Sequence, residues 1–110
     1  MVIKQQWKVK NMKQTVHLED FRNSFQSLRP NNFSYEGLAA LFDYFEQYEN
    51  DTGEELDLDV IATCCEYTEY KTLEEFNKDY GKDYKLVEEI DEDTRFVKIP
   101  NSTGFIIQNF

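Results

Sequence analysis

SYEGLAALFDYFEQYENDTG, residues 34–53, is the stretch that decides the fold. Leu38, Leu41, Phe42, Phe45 and Tyr48 recur at three- and four-residue steps, which puts them on one face of an α-helix. Ser34 precedes the run as an N-cap, and Glu36 sits in the first turn, where a negative charge favours the helix dipole. Gly53 supplies a C-terminal stop. The spacing predicts a helix from Tyr35 to about Asp51. At about 100° per residue, Glu36, Asp43 and Glu46 fall on the face opposite the apolar stripe, near Gln47 and Asn50. None of the three has a lysine or arginine at i+4, the usual stabilising partner.

Working outward from this helix, Leu18, Phe21, Phe25 and Leu28 predict an earlier helix, stopped by Arg29-Pro-Asn-Asn. Residues 13–17 have short β character through Thr15 and Val16. Residues 1–11 read as a basic extension without clear periodicity, either an arm or an edge strand, and Met12 is a second candidate initiator. Downstream, Leu56-Asp-Leu-Asp-Val alternates apolar and polar and then turns continuously apolar through Val60-Ile-Ala-Thr-Cys-Cys. That pattern predicts a central strand. Thr72-Leu-Glu-Glu75 has the form of a capping box, opening a helix to Tyr80 with Gly81 as its stop. A short helix is expected over residues 86–90. Residues 95–99 and 104–110 read as a hairpin joined by Pro100-Asn-Ser-Thr-Gly. The predicted order is β-α-α-β-α-(α)-β-β. The predicted fold is a single α+β domain over residues 12–110, with a small, mainly antiparallel sheet and helices packed on one face.

Eleven carboxylates and no lysine or arginine lie between Glu36 and Tyr70. Residues 1–35 carry six bases and two acids, and residues 71–110 six bases and nine acids, so the middle third holds most of the formal charge of −10. Folded proteins usually interleave signs, because uncompensated charge works against the compact state. Such a block is either a solvated face or a surface for a basic partner. It disfavours direct binding to nucleic acid or to an anionic membrane. Nine phenylalanines, seven tyrosines and one tryptophan argue against an acidic disordered chain. No apolar run approaches the roughly 20 residues of a membrane span, and the first residues lack a signal-peptide core. The two cysteines are neighbours, which disfavours a disulfide and is consistent with reduced thiols in a cytoplasm.

The stretches Phe33-Ser-Tyr-Glu-Gly-Leu, Thr52-Gly-Glu-Glu-Leu-Asp-Leu-Asp-Val-Ile-Ala and Cys64-Cys-Glu-Tyr-Thr-Glu-Tyr carry a family likeness, with the closing Gly104-Phe-Ile-Ile-Gln-Asn-Phe. Over residues 12–110 the chain resembles a family of small acidic proteins encoded by bacteriophages and prophages. The resemblance implies a phage origin and a host-cytoplasmic setting, and it brings no catalytic motif. By analogy with other small acidic phage proteins, it implies an anti-defence role of the anti-restriction or anti-CRISPR kind.

The function expected from the sequence is therefore that of a non-enzymatic interaction protein. It would occupy a basic, nucleic-acid-binding surface of a host protein, in the manner of a nucleic-acid mimic, without cofactor or metal. The expected contact residues are Glu36, Asp43, Glu46, Glu49, Asp51, Glu54 and Glu55, with Glu49 nearest the apolar stripe. One alternative is a Mg²⁺-dependent hydrolase or nuclease using Asp57 and Asp59, which share a face if they lie on a strand. Another is a self-assembling scaffold with an aromatic interface. Asp91-Glu-Asp93 lacks the calcium-loop pattern and reads as an acidic turn. Cys64 and Cys65 read as buried structural residues on opposite faces of a strand, His17 as a surface or sheet-edge residue, and Tyr67 and Tyr70 as core caps or a contact patch.

Overall fold

The computed structural model describes residues 2–4 and 13–110, with side chains from Val16 onward. Two short strands, β1 (Val2–Lys4) and β2 (Lys13–Thr15), pair antiparallel, with Ile3 opposite Gln14. The strand alternative thus holds for residues 2–4, and the rest of the predicted extension lies outside the described residues. Next come α1 (Leu18–Leu28), α2 (Tyr35–Thr52), α3 (Val60–Glu66) and β3 (Tyr67–Tyr70). The chain closes with α4 (Leu73–Tyr80), α5 (Glu88–Asp93), β4 (Phe96–Lys98) and β5 (Phe105–Gln108). The fold is α+β, with five helices among the described residues and an open antiparallel sheet in the order β3-β5-β4.

The caps behave as their chemistry requires. The Gly37 N–H donates to Ser34 Oγ at 2.9 Å and the Glu75 N–H to Thr72 Oγ1 at 3.1 Å, each satisfying a donor that the first helical turn leaves open. Gly53 and Gly81 end α2 and α4 at φ 72° and 65°, in the left-handed region that a side chain would strain. The hairpin of β4 and β5 forms in the expected place, with Val97 opposite Ile106. The acidic run at residues 91–93 is helical, the end of α5, and not a turn.

The predicted central strand over residues 56–65 is not a strand. Residues 60–66 form α3, and Asp59 is its N-cap, accepting the Ala62 N–H at 3.0 Å. A short apolar run cannot by itself distinguish a strand from a buried turn of helix, and here the cap decides. The central strand is instead β5, and Tyr67 and Tyr70 lie on β3, at the sheet's edge.

The helices also cover both faces of the sheet, and not one face as expected. Ile106 faces a cluster that contains Phe21 and Phe25 of α1, Leu38 and Leu41 of α2 and Val60 of α3. Its neighbours Phe105 and Ile107 face a second cluster, with Phe76 of α4 and Ile90 of α5. All three β5 residues are buried, which is what a strand covered on both sides requires. Phe21 and Phe25 hold the α1 stripe, but its last member, Leu28, is 52% exposed.

Candidate interaction site

The acidic residues of α2 and its following turn do not act as one group. Glu36, Asp43, Asp51 and Glu54 are exposed, and none of them makes an ion pair among the described residues. Glu46 and Glu49 are half-buried. Glu49 folds back and its Oε2 accepts the Leu56 N–H at 2.7 Å, tying the turn to the end of the helix. Glu46, Glu49 and Glu55 also hold further interactions within the chain. Of the seven expected contact residues, four present open carboxylates and three are engaged.

Glu36 and Asp43 form part of a concave surface. They line a groove of about 550 Å³ between α2 and β4, together with Ala39, Ala40, Tyr44 and Gln47 of the helix and Phe96, Val97 and Lys98 of the strand. Ala39 and Ala40 leave the room, since they carry the smallest side chains that a helix takes readily. At one end Arg22 from α1 lies flat over the Tyr35 ring, 3.4 Å from its centroid, and donates to the Tyr35 carbonyl at 3.0 Å. This stacking holds Tyr35 in place while leaving it 66% exposed. The Arg22 Nε is buried and has no hydrogen-bond partner among the described residues.

Arg95 precedes β4 and lies 5.3 Å from the centroid of the Tyr48 ring. The residue before β4 therefore meets the end of α2. Charge interaction with Tyr44, together with Tyr67 and against the opposing effect of burial, raises the Arg95 pKa above its ordinary value.

Asp57 and Asp59 line a smaller cavity of about 290 Å³ with Glu66, Arg95, Tyr48 and Tyr67. They do not share a strand face. Asp59 is committed to capping α3, and Asp57 holds another interaction in the chain. Among the described residues, no group of three or more histidine, cysteine or acidic side chains is placed to hold a metal ion. Cys64 and Cys65 ride on α3. Cys64 is half-buried, and burial pushes its thiol up, away from the reactive thiolate; Cys65 is exposed, contrary to the expectation of two buried cysteines. His17 is exposed at the start of α1, where its N–H donates to Asp20 Oδ2 at 3.0 Å. Tyr67 and Tyr70 are both buried, one in each core cluster, and so act as core residues.

Sequence reasoning missed Tyr35 and Tyr44. The exposed Tyr35 beside the Ser34 cap was a partial signal, since an aromatic ring off the apolar stripe has no core to enter. Nothing local brings residues 22, 36 and 98 together. No helix is long and apolar enough to cross a membrane among the described residues. Comparison with protein-family models, with curated proteins and with solved structures finds no match to the chain.

Proposed function

We propose that the protein is a non-enzymatic, acidic interaction module that occupies a basic surface on a partner protein. One observation carries this reading: Glu36, Asp43, Asp51 and Glu54 project from one helix and its turn with no ion pair among the described residues. Unneutralised like charges disfavour the isolated fold, and a cationic partner relieves that cost. Glu36 and Asp43 stand about 10 Å apart along the helix axis. Double-stranded DNA presents one charge per about 1.7 Å, so the ridge follows a phosphate track only sparsely. The partner surface is one that ordinarily holds nucleic acid.

The resemblance to small acidic phage and prophage proteins supports placing the module in an infected bacterial cytoplasm, with a host defence protein as its target. The anti-restriction or anti-CRISPR assignment rests on that analogy.

Affinity capture from bacterial lysate at low and high salt tests the reading. The unaltered chain should retain a nucleic-acid-handling protein at low salt and release it at high salt. The triple variant Glu36→Lys, Asp43→Lys, Asp51→Lys should lose it. A control with the same charge change elsewhere, Glu74→Lys, Glu88→Lys, Glu92→Lys, should keep it. Equal loss in both variants would show that net charge, and not the ridge, is responsible.

A further inference from the structure

We propose that the groove between α2 and β4 takes up an extended peptide segment. The segment pairs with β4 as a fourth strand and lays basic side chains against Glu36 and Asp43. It shares those two carboxylates with the reading above and rests on that reading for the sign of the partner's charge.

Among the described residues, the backbone of β4 is open on its outer side. The Gln108 N–H donates to the Arg95 carbonyl at 2.9 Å, and the Ile99 N–H donates to the Gly104 carbonyl at 3.1 Å. Residues 95, 97 and 99 therefore direct their backbone groups toward β5. Peptide groups alternate sides along an antiparallel strand, so Phe96 and Lys98 direct theirs away from it. No described strand pairs with β4 on that side. An open edge of this kind is a template for strand addition.

The groove wall beyond that edge is chemically specific. Its floor is Ala39 and Ala40, and its acidic rim is Glu36 and Asp43, neither ion-paired among the described residues. Lys98 borders the groove from the strand but makes no ion pair with Glu36 or Asp43 among the described residues, so both carboxylates stay available. Alternate residues of an added strand lie about 7 Å apart. Two basic residues at i and i+2 fall about 3 Å short of the roughly 10 Å between Glu36 and Asp43 along α2, a difference that the length of arginine side chains spans.

The register follows from the same alternation. Residues of the added strand that bond to Phe96 and Lys98 share the side-chain face of those two. Residues that face α2 stand opposite Val97 and leave their own N–H groups pointing outward. In a blocked peptide TVRVRVT bound with its arginines toward α2, the valine amides make the bonds to β4.

The test uses that peptide and three relatives with the full chain, followed by amide chemical shifts and titration. TVRVRVT should shift the amide signals of Phe96 and Lys98. N-methylation of its valine amides should abolish binding, whereas N-methylation of its arginine amides should leave it within about twofold. TVEVEVT should bind at least tenfold more weakly, and Glu36→Gln with Asp43→Asn should weaken TVRVRVT at least tenfold. Equal binding by the two N-methylated peptides overturns the strand-pairing inference. It leaves the salt-sensitive acidic ridge intact, so the two failures are distinguishable. A free protein that sediments as a dimer with its Phe96 and Lys98 amides protected would make a second copy the occupant, and this also overturns the proposal.

Discussion

Glu69 Oε1 accepts the Ser34 N–H at 2.9 Å, joining the sheet to the start of α2. The contact depends on Gly37. A Cβ at that position would lie 2.0 Å from the same Glu69 oxygen, so any side chain there displaces the carboxylate. One glycine thus lets an edge strand hold the N-terminus of the longest helix.

Gly37→Ala is expected to destabilise the protein by about 1 kcal/mol. It gains about 1 kcal/mol of helix propensity and loses a charge-assisted hydrogen bond of about 2 kcal/mol. In a Glu69→Ala background the nearest obstacle is gone and Ser34 Oγ, 2.9 Å from where the Cβ would lie, remains, so the same substitution should cost clearly less. Urea unfolding of the four proteins of this cycle checks the difference. An undiminished destabilisation without Glu69 would place the conflict elsewhere, at the Ser34 cap.

Asp59 should act as a helix cap and not as a metal ligand. Asp59→Ala should cost about 1 kcal/mol, and Asp59→Asn much less, because asparagine caps about as well. Thermal unfolding with and without 10 mM Mg²⁺ (about this concentration suffices for a weak carboxylate site) should show the same ranking in both conditions. A melting temperature that rises with Mg²⁺ in the parent and not in Asp59→Asn would revive the hydrolase alternative.

Alkaline pH should expose the coupling of Tyr70 to Asp79. The phenol donates to Asp79 Oδ2 at 2.5 Å, and burial, then this bond and the nearby carboxylate, raise its pKa well above the ordinary value. A raised phenol pKa favours the neutral form in the fold. Its contribution is therefore complete below the unfolded value, about 10, and declines as pH rises toward the folded one. Stability should fall from about pH 10 upward, and less steeply in Tyr70→Phe. That variant should itself lose about 1 kcal/mol at neutral pH. Ultraviolet titration of tyrosinate checks it: one phenol fewer should titrate late in the variant than in the parent.

Ile106→Ala and Ile107→Ala remove buried side chains on opposite faces of β5, one from each core cluster. Each should cost about 2–5 kcal/mol. Because one strand carries both, each variant should still unfold in a single transition. Separate transitions for the two faces, followed by tryptophan-independent circular dichroism and by proton signals, would show that the clusters fold independently.

Much of the fold was legible locally. Leu38 and Leu41 are buried where the periodicity of α2 puts them, and Ser34, Gly53, Thr72 and Gly81 mark helix ends where they were expected. The exception is residues 56–66, where an apolar run read as a strand and folded as a capped helix. Its pattern was compatible with both, and a single cap at Asp59 is a weak signal beside the six consecutive apolar or β-branched residues from Val60 to Cys65. The acidic ridge was legible as composition but not as separate roles. Glu49 gave no local sign that it would bind the Leu56 amide seven residues on.

By itself, the sequence determined which segments are helical at α1, α2 and α4, where the closing hairpin lies, and that carboxylate is concentrated in the middle third. These depend on neighbours within a few turns of chain. Only the tertiary structure decided that β5 is central, that helices flank both its faces, and that Arg22, Glu36 and Lys98 border one groove. Those relationships join residues far apart in the chain, and packing both faces of one strand selects among arrangements that local periodicity leaves equal.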